Sequence, residues 1–121
     1  MTEPLDRSVL ADLLAKAGDD PELVGATVDG FQDRVPRQIA ALRRAVEAGD
    51  AIEAERLATI VSGQADTLGA IGLAQLCREV AALVRAGAAR DAAAQLDTVE
   101  AAYAELVEAL DDARAEDWGA E

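Results

Sequence analysis

Apolar side chains recur every three or four residues along most of the chain, the spacing of a buried stripe on an α-helix. Glycines and prolines divide this pattern into about five segments. The expected helices run roughly over Leu5 to Ala17, Pro21 to Gly49, Asp50 to Thr67, Leu73 to Gly87 and Arg90 to Ala115. Their lengths and short turns predict an all-α fold, an antiparallel four-helix up-and-down bundle with an additional short N-terminal helix across one end.

The second segment has a proline near its centre. Pro36 lacks the N–H that a helix interior needs, and its ring bends or breaks a helix. The apolar stripe nevertheless continues beyond it through Ile39, Leu42 and Val46. One kinked helix and two separate helices are equally compatible with this pattern.

Composition supports helices and restricts the partners. Hydrophobic residues make up 51% of the 121 residues but aromatic residues only 2%, which favours packed helices over sheets. The net charge of −13 argues against nucleic-acid binding, which needs clustered Lys and Arg. Short, interrupted apolar runs and the absence of a signal-peptide pattern predict no membrane interaction and a cytoplasmic protein whose partners are proteins. We expect a monomer.

Two residue counts exclude several chemistries. The chain has no histidine, which removes histidine general-base catalysis, the usual triads and His-ligated metals. Its single cysteine, Cys77, can form neither an internal disulfide nor a thiolate cluster and is expected to be a buried structural thiol rather than a redox sensor. We therefore expect no cofactor and no metal site.

The C-terminal end is acidic. We expect the bundle to span residues 1–115 and an acidic tail to span 116–121. Trp118 lies within this tail, where it either staples the tail to the bundle or forms an exposed anchor.

Residues 56–70 read Arg-Leu-Ala-Thr-Ile-Val-Ser-Gly-Gln-Ala-Asp-Thr-Leu-Gly-Ala. This order resembles the signature of the histidine phosphotransfer (HPt) domain, roughly Ala-His-x-Leu-Lys-Gly-Ser, then a small residue and Leu-Gly-Ala. Three further stretches fit the same family and extend the resemblance over nearly the whole chain: Gly18 to Pro36, Leu42 to Asp50, and Leu73 to Gly87. The resemblance implies a helical bundle of a bacterial phosphorelay.

The chain departs from this signature at its functional positions. When Gly63 and the Leu68-Gly69-Ala70 segment are aligned, Thr59 occupies the position of the phosphoacceptor histidine and Ser62 that of the family's lysine. A threonine hydroxyl is a poor nucleophile without a base, and a phosphothreonine ester is unsuited to onward transfer. We therefore expect a degenerate member that is not an enzyme and carries no phosphate.

Helical geometry, at about 100° per residue, places Thr59 on a solvent-facing surface that the resemblance makes a docking face for a receiver or kinase domain. The residues predicted to dock a partner are Ile52, Glu55, Arg56, Thr59, Ile60, Ser62, Gly63 and Asp66. Arg56 is the only positive charge expected nearby, so either the partner differs from an ordinary receiver or binding relies on apolar contact.

Two other functions are compatible with the same sequence. Thr59 could be a phosphorylation site for a Ser/Thr kinase, with Arg56 three residues upstream. Alternatively, the bundle could be repurposed for an unrelated protein interaction in which this face plays no part.

Overall fold

The computed structural model describes residues 3–119, which form five α-helices and one short 3-10 turn and contain no strand. The elements are α1 (Arg7–Lys16), α2 (Pro21–Glu47), α3 (Ala51–Leu68), α4 (Ile71–Arg85), α5 (Ala89–Ala115) and the turn Asp117–Gly119. Helices α2 to α5 form the bundle, in which α3 packs against α2 and α4 and lies diagonally opposite α5. This arrangement confirms the predicted all-α bundle with a short N-terminal helix.

Aspartates cap the first three helices. The side chains of Asp6, Asp20 and Asp50 accept hydrogen bonds from backbone N–H groups in the first turns of α1, α2 and α3. Such caps satisfy N–H groups that have no partner within the helix. The predicted helix start at Asp20 and Pro21 is thereby confirmed.

Pro36 does not divide the second segment. Helix α2 is continuous for 27 residues, and Pro36 lies on its exposed side. Val35 and Ile39 on either side of the proline are buried, so packing holds both halves of the helix on the same core. The alternative of two separate helices on either side of Pro36 is therefore wrong.

The core consists mainly of Leu, Val and Ala side chains. Ala54, Ala58 and Ala65 on α3 are fully buried, as is Ala74 on α4. Small side chains at these positions allow the two helices to approach closely. Cys77 is also fully buried, and desolvation raises the pKa of its thiol to about 12, as expected for a structural thiol.

Trp118 packs onto the bundle. Its side chain is only 4% exposed, and its indole Nε1 donates a hydrogen bond to the backbone carbonyl of Pro21 at 3.0 Å. The Arg114 guanidinium lies 5.1 Å from the ring centroid. The prediction that Trp118 fastens the C-terminal segment to the bundle is therefore confirmed, and the alternative prediction of an exposed anchor is wrong. Residues 120 and 121 of the predicted tail lie outside the described residues.

No helix within residues 3–119 is long and apolar enough to cross a membrane.

Candidate functional site

Thr59 lies near the middle of α3 with its side chain exposed, as the helical geometry predicts. No hydrogen bond from another described residue reaches its hydroxyl. One turn further along, Gly63 is also exposed, and a Cβ built at Gly63 would meet no atom within 4 Å. The surface next to the threonine is therefore open enough for another backbone to approach.

Two isoleucines supply apolar area on this side of α3. Ile52 is 85% exposed, the most exposed large hydrophobic side chain in the described part of the chain. Ile60 is half-buried and follows Thr59 directly. We name the surface formed by Ile52, Glu55, Arg56, Thr59, Ile60, Gly63 and Asp66 the Thr59 face.

Ser62 does not belong to this face, and its predicted place there is wrong. Its side chain is 5% exposed, and its hydroxyl donates a hydrogen bond to the backbone carbonyl of Thr59 at 2.8 Å. By helical geometry Ser62 lies about 60° from Thr59, on the side where α4 packs closely against α3. Residue 62 is therefore covered by the neighbouring helix.

Two arginines of α4 border the Thr59 face and were missed by sequence reasoning. Arg78 donates to Asp66 at 2.8 Å, and Arg85 donates to Glu55 at 2.9 Å. The expectation that Arg56 is the only nearby positive charge is therefore wrong. A signal was present, because an antiparallel pair of helices joined at residues 69–70 brings these distant positions opposite each other.

Arg56 is itself engaged. Its Nε donates to the Glu53 carboxylate at 3.1 Å, and this hydrogen bonding holds the pKa of Glu53 below its usual value and raises the pKa of Arg56. Both groups are exposed, so the pair contributes little to stability. The pair places the Glu53 carboxylate beside the Arg56 guanidinium and so offsets the positive charge that the sequence predicts on this face.

On its other side, α3 meets α2 through a chain of amides. Gln64 donates from Nε2 to Gln38 Oε1 at 2.8 Å, and its own Oε1 accepts from Arg34 Nε at 3.3 Å. Arg34 thus joins the surroundings of the Thr59 face from α2, a contact that no local sequence pattern indicates.

Both carboxylates of the Thr59 face are engaged by arginines. Glu55 accepts from Arg85 and Asp66 accepts from Arg78, and neither carboxylate is hydrogen-bonded to the Thr59 hydroxyl. Within residues 3–119, no group of three or more His, Cys, Asp or Glu side chains is arranged to hold a metal ion.

Comparison with known proteins gives two matches. A family model described as Hpt domain matches residues 27–116, most of the chain. Among solved structures, the chain is similar to histidine-containing phosphotransfer protein B (HptB) from Pseudomonas aeruginosa PAO1, with 26% sequence identity and a TM-score of 0.85. That match covers 96% of this chain and 98% of the other. No curated protein matches the chain.

Proposed function

Because this chain belongs to the Hpt domain family of phosphorelay signalling proteins, we propose that it is a non-catalytic member. In this proposal the protein binds a receiver or kinase domain through the Thr59 face and carries no phosphoryl group. The observation that carries the proposal is the exposed threonine at the position that the family signature gives to histidine.

Loss of phosphate carriage follows from the chemistry of residue 59. A phosphoryl group on an imidazole nitrogen keeps a high transfer potential, whereas an ester on a threonine oxygen does not. The chain has no histidine to act as acceptor or to activate the hydroxyl. A phosphoryl group on Thr59 would therefore stay there until hydrolysed by another protein.

Retention of binding is supported by the shape and composition of the Thr59 face. The open surface at Gly63 has no structural use in the free protein, since alanine there would favour the helix by about 1 kcal/mol. The exposed Ile52 and half-buried Ile60 add apolar area that a partner can bury. These features are the ones that a docking surface needs and an isolated bundle does not.

Calorimetric titration of the protein against a panel of receiver domains and kinase domains from its source organism tests the proposal. We expect saturable binding to at least one of them. Gly63→Arg should weaken that binding at least about tenfold, because the new side chain occupies the space of the partner.

Ala104→Arg is the matched control, since it adds the same side chain at an exposed position on α5, diagonally opposite α3. It should leave the affinity unchanged. Absence of binding to every domain would refute the proposal, as would equal affinities for the wild type and Gly63→Arg.

Phosphorylation of Thr59 is a second candidate function, favoured by the exposed hydroxyl. The added charge of about −1.5 to −2 would repel a partner that presents carboxylates. Mass spectrometry of the protein from its own cells tests this idea. An acid-stable phosphate on Thr59 would support it, and an unmodified Thr59 under all growth conditions would refute it.

A further inference from the structure

The α2 edge of the Thr59 face carries a guanidinium with unused donors. Arg34 uses Nε to donate to Gln64, and no acceptor within residues 3–119 meets either of its terminal nitrogens. No carboxylate of this part of the chain forms an ion pair with Arg34. We call Arg34, Gly30, Gln38 and Gln64 the Arg34 corner.

The position of this guanidinium is defined from two sides. Gln64 is held by Gln38, so the amide that accepts from Arg34 is itself oriented. On α2, the side chain of Arg34 folds back over Gly30, where an added Cβ would lie only 2.9 Å from Nη1. The guanidinium therefore occupies space that exists because residue 30 has no side chain.

The other arginines around the Thr59 face differ from Arg34. Arg56, Arg78 and Arg85 are each paired with a carboxylate, which largely cancels their charge toward a partner. Arg34 has only a neutral amide as its partner. Among these four arginines, Arg34 is therefore the one whose charge no carboxylate within residues 3–119 offsets, although the whole protein carries a net charge of −13.

The Arg34 corner is continuous with the Thr59 face. Gln64 follows Gly63 directly, and its Nε2 lies 3.5 Å from the backbone carbonyl oxygen of Ile60. A partner that covers Ile60 and Gly63 therefore reaches the edge of the Arg34 corner.

We propose that Arg34 is a specificity-determining residue of the docking surface and binds a carboxylate of the partner protein through its two terminal nitrogens. A guanidinium fork matches a carboxylate in a bidentate geometry, and Nε–H remains free to hold the guanidinium on Gln64. The partner then spans the boundary between α2 and α3, with its apolar surface on Ile60 and its acidic group at Arg34. This inference rests on the proposed function and specifies the chemistry of the partner.

Three variants test the inference by calorimetry against whichever receiver or kinase domain binds the wild type. Arg34→Ala should weaken binding roughly tenfold or more and reduce its dependence on salt. Arg34→Lys keeps the charge but loses the fork, so it should recover only part of the affinity. Arg44→Ala is the control, because Arg44 is an exposed arginine of α2 without an ion pair among the described residues and lies about 80° around the helix from Arg34.

Gly30→Ala separates docking from folding. The new methyl group would lie 2.9 Å from Arg34 Nη1, so the Arg34 guanidinium must move away from residue 30. Alanine also favours the helix over glycine. We expect weaker partner binding together with equal or greater stability to urea. If Arg34 served only folding, Gly30→Ala would change the free energy of unfolding and leave the affinity of the folded protein for its partner unchanged.

The outcomes distinguish this inference from the proposed function. Binding by the wild type that is lost in Arg34→Ala and kept in Arg44→Ala supports both. Binding that Arg34→Ala and Arg44→Ala change equally overturns the role of Arg34 and leaves the proposed function standing. Failure of the wild type to bind any domain overturns the proposed function and this inference with it.

Discussion

The backbone N–H of Asp6 donates a hydrogen bond to the backbone carbonyl of Gly69 at 2.8 Å and so joins the start of α1 to the turn between α3 and α4. Gly69 has a φ of +85°, and a Cβ built on it would lie 2.8 Å from the Asp6 carbonyl oxygen and 3.0 Å from Val9 Cβ. A glycine is needed here both for the left-handed backbone and for the close packing of α1.

Gly69→Ala should therefore lower the free energy of unfolding by more than the cost of the left-handed backbone conformation, because the added methyl group also meets Asp6 and Val9. Gly87→Ala is the matched control, because Gly87 has a φ of +75° but no atom within 4 Å of an added Cβ. We expect a loss of about 1 kcal/mol for Gly87→Ala and at least about 2 kcal/mol more for Gly69→Ala, measured by urea denaturation. Equal losses would show that α1 does not pack tightly against this turn in solution.

Trp118 should contribute to global stability although it lies close to the C-terminal end. Trp118→Ala removes a buried ring and should lower the free energy of unfolding by about 3 kcal/mol. Trp118→Phe keeps most of the ring but loses the hydrogen bond to Pro21, so we expect about 1 kcal/mol. Urea denaturation followed by circular dichroism measures both, and wild-type stability of Trp118→Ala would show that the staple is dispensable.

The helices were predictable from sequence because their signals are local. Asp50 and Gly87, for example, mark a helix start and a helix end by their own capping and turn chemistry. The exposed position of Thr59 was also predictable, since it needs only the 3.6-residue period. The sequence does not decide whether Pro36 ends the second segment, because the outcome depends on the burial of Val35 and Ile39 in the core of the bundle.

The surroundings of Thr59 were predicted less well because they depend on contacts between helices. Ser62 lies at the boundary between exposed and buried directions, where only the closeness of α4 decides its burial. Arg34, Arg78 and Arg85 approach α3 from positions at least 12 residues away along the chain. The pattern along α3 alone contains no information about such partners, and Arg78 and Arg85 are indicated only when α3 and α4 are taken as an antiparallel pair.

Burial of Cys77 should make the stability of the protein decrease in alkaline solution. The pKa of its thiol rises from 9.0 to about 12 on folding, because desolvation disfavours the thiolate. The stabilising effect is fully present below pH 9.0 and is lost as the pH rises toward 12, since the unfolded chain alone releases the proton in that window.

The difference in unfolding free energy between the wild type and Cys77→Ala isolates this effect. Cys77→Ala loses packing at every pH, but the gap between the two proteins should narrow from pH 8 to pH 10. Tyr103 has a raised pKa in both proteins and cancels in the difference. A gap that stays constant over this range would contradict a buried, neutral thiol.

Thr59→His should restore phosphate acceptance if the Thr59 face still docks a receiver domain. The Thr59 side chain is exposed and its hydroxyl forms no hydrogen bond within residues 3–119, so an imidazole fits without repacking; the hydrogen bond from Ser62 reaches the backbone carbonyl and is kept. Ser62 is left unchanged, because a lysine at that buried position would disturb the contact with α4.

After incubation with a phosphorylated receiver domain that binds the wild type, we expect acid-labile label on Thr59→His and none on the wild type. Ala94→His, which places an exposed histidine on α5, is the control and should take no label. Binding of the receiver domain without labelling of Thr59→His would mean that the receiver's phosphoaspartate does not reach residue 59, and the docking surface would then have to lie elsewhere on the bundle.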